Sequence, residues 1–451
     1  MNVPQSLSRA ALRDFRAWSA LRHRNYRLFF LGQLISLVGT WMQTVAQAWL
    51  VLALTGSPFA LGLVAAAQFT PVLVFGLFGG LVADHLPKRR TLIATQVSAM
   101  TLAFVLAVLT ATNTVQVWHI FVLALLLGFT NAIDMPTRQA FSVEMVGRED
   151  VTNAVALNSA IFNAARIVGP AVAGLSIAAF GTSLAFFLNG ASFLAVIAGL
   201  SLMRDEELTS PPAIPRPTTV EAVFQNLGEG LRYVRETPIV LLAVAVVALV
   251  ATFGMNFNVL TPAMSKDVLN AGADGYGFLM AASGVGSLLA AIGLAVLGRP
   301  RPGIIVGGGL LLGVLEIAFA ISRSFPLSLL CMFGIGAGGI AMAATANTTI
   351  QLSVPDHLRG RVLSVYTTLF AGSTPIGGVA MGAIAASAGT PTALIIGGVI
   401  SALVSVSGWV WLRRRPRTVA STGALSPGGP GGRLREPVSV SSRVGQVRTA
   451  K

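Results

Sequence analysis

Twelve apolar stretches, each long enough to cross a bilayer, decide what this chain can fold into. The runs and their breaks place them near 27–53, 58–83, 91–112, 117–141, 152–178 and 184–203. The second set lies near 238–263, 275–298, 303–322, 325–350, 361–386 and 391–412. None shows the alternating apolar and polar pattern of barrel strands. Hydrocarbon offers no partner for backbone N–H and C=O groups, so the runs must form helices. Only 11% of the residues are charged and 54% are apolar. A soluble enzyme, with about a quarter of its residues charged, is excluded. The expected fold is an all-α polytopic membrane protein.

The formal net charge is +14, which in a soluble chain would point to nucleic acid. Its distribution points elsewhere. All but three of the 31 basic residues fall in the two terminal segments and the even-numbered loops. Lys266 and Arg323 lie on the other side, and Arg166 lies within a span. Excess positive charge marks the cytoplasmic face, so both termini are expected in the cytoplasm, with the lipid bilayer and no nucleic acid as partner. The first run is too long for a signal peptide and lacks a small-residue cleavage site.

The organisation that follows has five parts. Residues 1–25 form an amphipathic N-terminal segment, with Leu7, Ala11, Phe15, Trp18 and Leu21 at helical spacing. Six spans occupy 26–203. A cytoplasmic loop over 204–237 carries a second stripe at Val220, Phe224, Leu227, Leu231 and Val234. Six more spans occupy 238–412, and the basic tail 413–451 is rich in Gly, Pro and Ser and expected to be disordered. Cys331 is alone and the four histidines share no ligand spacing, so no disulfide, metal or cofactor is expected. None of the three lysines follows a glycine, which excludes a phosphate-binding loop, and no G-x-S-x-G elbow appears. The G-x-G-x-x-G at Gly334, Gly336 and Gly339 lies inside an apolar run and reads as helix packing.

The halves repeat. At an offset of 208, Gly128, Gly169, Gly174, Gly181 and Gly190 match Gly336, Gly377, Gly382, Gly389 and Gly398. Two matching six-span halves around a central cavity are a transporter architecture.

The chain resembles the major facilitator superfamily over nearly its whole length. Residues 79–90, GGLVADHLPKRR, are similar to the family's loop signature: Gly80, Asp84, Lys88 and Arg89 match, while His85 and Pro87 replace Arg and Gly. Residues 166–174, RIVGPAVAG, are close to the Gly-Pro motif of the exporter branches. The runs DMPTRQAF (134–141), VGREDVTNAVALN (146–158) and PDHLRGRVLS (355–364) look like the enterobactin-exporter type of drug and siderophore efflux protein, as does the segment 260–287. The Arg of the span-4 antiporter motif is missing near Ala124. The resemblance implies twelve helices in two pseudo-symmetric bundles, with spans 1, 4, 7 and 10 around the substrate and 3, 6, 9 and 12 peripheral. It also implies that Asp84, with Lys88 and Arg89, meets the start of span 11 at Arg359 and Arg361 as a cytoplasmic gate.

Charges inside a span cost about 2.5–3.5 kcal/mol at a helix centre, so each needs a reason. Counted from the estimated span ends, Asp134 and Arg166 differ in depth by about one turn. They are expected to pair, either as a structural tie or with Asp134 as the proton-coupling group. Glu316 reads as protonated or snorkelling. Gln33, Thr40, Gln43 and Gln47 form a polar stripe on span 1, and Asn131, Asn163, Thr252, Asn256, Thr345 and Asn347 are similar positions elsewhere. Each lines the substrate cavity or bonds a neighbouring helix. Gly169, Pro170 and Gly174 are the candidate hinge. The expected function is proton-driven export of a drug-like or siderophore-like amphiphile by alternating access, from a monomer in the bacterial cell membrane. An uptake symporter and a non-transporting sensor are the alternatives.

Overall fold

The computed structural model describes the backbone of residues 18–209, 220–298 and 300–414, and the side chains of all of these except 77–85 and 220–224. The amphipathic segment before residue 18, the side chains of Gly80 and Asp84, those of Val220 and Phe224, and the tail beyond Arg414 lie outside the described residues. Eleven helices are long and apolar enough to cross a membrane. The longest, Val117–Phe180, has 64 residues and would measure about 96 Å if straight, three times the hydrocarbon core. It breaks at Gly147, where φ is 70° and ψ 175°, a conformation that needs glycine. Its limbs are spans 4 and 5, which restores the count of twelve.

Spans 1 to 3 are Arg24–Thr55, Pro58–His85 and Lys88–Ala111, and span 6 is Thr182–Ser201. Span 7 is Pro238–Gly254 followed by Phe257–Ala263. Spans 8 to 12 are Gly272–Leu297, Pro302–Ile321, Phe325–Ser353, Asp356–Ala388 and Thr390–Arg414. Span 7 departs from the continuous run expected over 238–263. The Asn256 side chain donates to the Thr252 carbonyl at 2.7 Å, taking the acceptor that its own backbone N–H would use in an unbroken helix. Side-chain competition of this kind ends the helix at Gly254, eight positions before Pro262, which lies inside the following helix.

The matched glycines make matched contacts. A Cβ on Gly128 would lie 2.4 Å from the Gln68 carbonyl, and one on Gly336 1.9 Å from the Ser283 carbonyl; these are the seams of spans 4 and 2, and of 10 and 8. Gly169 meets Val38 and Trp41 of span 1, as Gly377 meets Thr252 of span 7. Gly190 packs on Phe104 of span 3, as Gly398 packs on Gly313 of span 9. Gly181 and Gly389 both have positive φ, 79° and 88°, in the turns before spans 6 and 12. The last pair crosses between the halves: Gly174 faces Ala273 of span 8, and Gly382 faces Pro58 of span 2.

Cross-half seams are tightest at the distal end, away from Trp18 and Arg414. Gly62 would place a Cβ 2.2 Å from the Gly378 carbonyl, and Gly277 one 2.4 Å from that of Pro170. Lys266 donates to the Leu52 carbonyl there at 3.4 Å. Along span 8, Ala273, Tyr276, Leu279, Met280 and Ser283 are buried, whereas Leu289, Ile292, Val296 and Leu297 are exposed. The glycine contacts between spans 5 and 8 thus lie on the distal half of span 8, and its large exposed residues lie toward the end that carries the termini.

Two segments outside the spans brace that proximal end. The turn Ser19–Arg22 docks on the start of span 5, where Ser19 donates to Asp150 at 2.5 Å and His23 contacts it at 2.9 Å. The Ser19 hydroxyl and then His23 hold the Asp150 carboxyl below its ordinary value. In the central segment, the helix Val220–Glu236 packs on span 11: Gly230 faces the Arg361 carbonyl, and Glu229 pairs with Arg361.

These seams can be tested by adding one methyl group. G286A would drive a Cβ to 1.8 Å from the Phe333 carbonyl and G336A to 1.9 Å from that of Ser283. Each is expected to destabilise the protein by about 1–3 kcal/mol through overpacking, read as a lower melting temperature in detergent. G293A, with nothing within 4 Å, is expected to leave the melting temperature unchanged or raised.

Candidate functional site

Asp134 is buried in span 4, and four donors converge on its carboxylate. Thr95 Oγ1 and Gln96 Nε2 of span 3 donate to Oδ1 at 2.7 and 2.8 Å. Arg138, one turn further along span 4, donates to Oδ2 from Nε at 3.0 Å and from its terminal Nη2. The other terminal nitrogen of Arg138 donates to Gln33 Oε1 of span 1. One carboxylate and one guanidinium thereby tie spans 1, 3 and 4 together. A bidentate, charge-assisted pair with further donors is the arrangement that offsets burial of an ion.

The expected partnership of Asp134 with Arg166 is therefore corrected. Depth along an axis says nothing of direction around it, and Arg138 at i+4 lies on the same helix face. By sequence, Arg138 counts with the basic residues around the loop after span 4, although it lies inside the span read at 117–141; the limb runs on to Val146. The spacing Asp134–Arg138 was the signal that could have found the pair.

Arg166 instead lies over the Trp41 ring of span 1, 6.0 Å from its centroid. Phe162, one turn earlier on span 5, meets the same ring edge-on at 5.7 Å. Among the described residues no carboxylate or hydrogen-bond acceptor meets the guanidinium. A cation–π contact supplies about 0.5–2 kcal/mol, against about 2.5–3.5 kcal/mol for a mid-span charge. The contact alone leaves the cost of Arg166 unmet.

The residues of the expected gate bond within their own halves. Lys88 pairs with Glu144 of span 4 at 2.6 Å. Arg89 binds the end of span 6 through the Leu200 and Ser201 carbonyls and Asp205. Arg359 pairs with Asp356 at 2.5 Å, and Arg361 with Glu229 of the central helix.

The polar stripe of span 1 divides. Gln33 joins the Arg138 network, Gln43 accepts from Asn189 of span 6 at 2.6 Å, and Gln47 reaches Gln68 of span 2 at 3.4 Å. Gln43 therefore meets the peripheral span 6. Thr40 is exposed and bonds the Ser36 carbonyl. Asn163, Thr252 and Asn256 bond backbone carbonyls one turn back on their own helices, and Asn347 accepts from Gln351. Asn131 is half-buried. Thr345 is buried with an unpartnered hydroxyl. Gly169, Pro170 and Gly174 lie where span 5 meets spans 1 and 8.

Glu316 of span 9 does not snorkel. It is 1% exposed, neither carboxyl oxygen has a hydrogen-bond partner, and the two lie against Gly254 of span 7 and Gly397 of span 12. Its neighbour Gly254 is the residue at which span 7 breaks.

Residues 15–424 match the family described as transmembrane secretion effector. The multidrug efflux pump Tap of Mycolicibacterium fortuitum is 33% identical over 372 residues, 80% of this chain and 89% of that protein. The enterobactin exporter EntS of Shigella boydii is 25% identical over 411 residues, 88% of this chain and 96% of that one. Among solved structures, a POT family transporter in complex with a thioalcohol-conjugated peptide superposes with a TM-score of 0.70 at 10% identity. It covers 86% of this chain and 96% of its own, a likeness of fold.

The Asp134–Arg138 network makes a non-additive prediction. R138M strands a buried carboxylate and is expected to cost about 3–5 kcal/mol. The double variant D134N/R138M removes both charges and is expected to recover most of that loss. Equal melting temperatures for the single and double variants would show that the two side chains act independently.

Proposed function

The chain belongs to the transmembrane secretion effector family of the major facilitator superfamily, and from that premise we propose that it exports a small amphiphilic molecule in exchange for protons. A multi-pass membrane transporter of this family is not an enzyme; what it needs is a path, a cargo and an energy source. The observation that supports the reading is the cross-half seam, closely packed distally at Gly62–Gly378 and Gly174–Ala273, with the large side chains of the proximal part of span 8 exposed. With both termini in the cytoplasm of a bacterium, as the basic loops favour, this is an inward-facing state ready to load cargo. Rocking the two halves about the seam, with Gly169, Pro170 and Gly174 as pivots, would close the proximal side and open the distal one. In that outward state Asp84 would meet span 11 beside Arg359 and Arg361, which are held meanwhile by Asp356 and Glu229.

Asp134 is the proton-coupling group in this reading. A proton on its carboxylate would cancel the charge that holds Arg138, and with it the tie from span 4 to Gln33 and Thr95. Spans 1, 3 and 4 could then shift against one another. A membrane potential supplies about 2.3 kcal/mol per charge per 100 mV, enough for roughly a 40-fold accumulation ratio per proton. The relatives named as a multidrug pump and an enterobactin exporter support an amphiphilic cargo. Trp41, Trp49, Phe253 and Phe257 on spans 1 and 7 suit such a molecule, and Thr40, Asn131 and Thr345 are the polar candidates beside them. The protein is proposed to work as a monomer.

Proteoliposomes with an imposed pH gradient test the proposal. Ethidium is expected to move against the direction of proton flow, and collapsing the gradient with nigericin is expected to abolish accumulation. D134N is expected to lower gradient-driven flux at least tenfold while leaving downhill exchange in place. Flux indifferent to the gradient would exclude proton coupling, co-movement of dye and protons would make the protein an importer, and full activity in D134N would exclude Asp134.

A further inference from the structure

The uncompensated charge at Arg166 asks for a partner that the described residues do not supply. Its position narrows what that partner can be. Arg166 lies 14 residues before the distal end of span 5 at Phe180 and 19 after the break at Gly147, about 21 and 28 Å along the axis. That depth is beyond the reach of phospholipid headgroups on either face. The same turn of span 5 faces the other half of the molecule: a Cβ on Gly284 of span 8 would lie 3.1 Å from the Arg166 carbonyl and 2.9 Å from Ile167. The side chain is half-buried and stands at the level of Gly284, beyond which the large residues of span 8 become exposed.

Its immediate surroundings are aromatic. Trp41 lies beneath the guanidinium and Phe162, 46% exposed, stands edge-on to Trp41. A guanidinium that meets only an indole ring keeps its N–H groups free, and their planar fork is a bidentate match for a carboxylate. The exposed ring of Phe162 one turn below offers an apolar surface to whatever carries the anion. Arg138 makes the comparison: in the same half, it has Asp134 and Gln33 as acceptors, so its donors are taken.

We propose that Arg166, lying over the Trp41 ring beside Phe162, binds the carboxylate of an aromatic or otherwise flat organic anion, which adds organic acids to the amphiphiles the protein carries as cargo. This rests on the transporter reading for the word cargo, but the binding site stands apart from the direction and energetics of transport. Arg166 supplies the charge, Trp41 fixes the plane of the guanidinium, and Phe162 receives the ring.

Two dyes with one xanthene scaffold make the test. Fluorescein carries a carboxylate, and rhodamine 123 carries an ester and a positive charge. Binding is read by fluorescence anisotropy on purified full-length protein in nanodiscs of zwitterionic lipid, where no lipid anion competes. Wild type is expected to bind fluorescein at least tenfold more tightly than rhodamine 123. R166Q is expected to lose at least tenfold in fluorescein affinity with no loss for rhodamine 123, and R166K, which keeps the charge without the planar fork, to fall between. W41L, which leaves the charge in place, is expected to weaken fluorescein at least threefold. Equal fluorescein affinity in wild type and R166Q overturns the proposal, as does wild type that fails to bind fluorescein. If R166Q does not fold, unchanged affinity in both R166K and W41L overturns it. Fluorescein bound through Arg166 but never moved by a pH gradient would instead remove the exporter reading and leave this site standing.

Discussion

Close approach of backbones at glycine holds this molecule together. Lipid tails are as apolar as leucine, so burying apolar side chains between helices gains little in a membrane; van der Waals contact must do more of the work. The contact improves as the helices approach, and only a missing Cβ allows separations such as those at Gly286–Phe333, Gly336–Ser283 and Gly62–Gly378. The seams within each half and the seam between halves use the same device. They differ in placement: the seam of spans 8 and 10 has glycines at 286 and 336 about midway along both helices, whereas the glycines of the seam of spans 5 and 8, Gly174, Gly277 and Gly284, lie toward its distal end. A seam that is tight along only part of its length is what a rocking motion requires.

Much of this was legible in the sequence because it depends on composition and spacing. The runs gave helices because a lipid-facing backbone has no alternative, and the break of the longest helix falls at Gly147, between the spans read at 117–141 and 152–178. The five glycine matches survived as four pairs of equivalent contacts and one pair of positive-φ turns, because both kinds of position are fixed by geometry that the fold repeats. What was illegible depends on rotation about a helix axis. Asp134 and Arg166 share a depth but face different neighbours, while Arg138 shares a face with Asp134. The polar stripe of span 1 was too wide to be one surface: Gln43 turns toward Asn189, Gln33 toward Arg138, and Trp41, left to the apolar side, carries the arginine. The interruption of span 7 was misplaced for a related reason, since proline announces a break while asparagine makes one only when its amide finds a carbonyl.

The repeat that organises packing does not extend to charge. At the offset of 208 that aligns the glycines, Asp134 corresponds to Met342, Arg138 to Ala346, Arg166 to Thr374 and Gln33 to Leu241. In the other direction, Glu316 corresponds to Val108. The polar tie of spans 1, 3 and 4 therefore has no counterpart in spans 7, 9 and 10, which hold a single acid without partners. Symmetry here belongs to the motion, because two matching halves can pivot about one seam and present similar shapes to either side. Asymmetry belongs to the chemistry. In the proposed reading, a proton on the Asp134 tie would change the internal freedom of that half alone, and an anion on Arg166 would sit on the same half. Proton and cargo would then act on one bundle, with the other as the surface it rocks against.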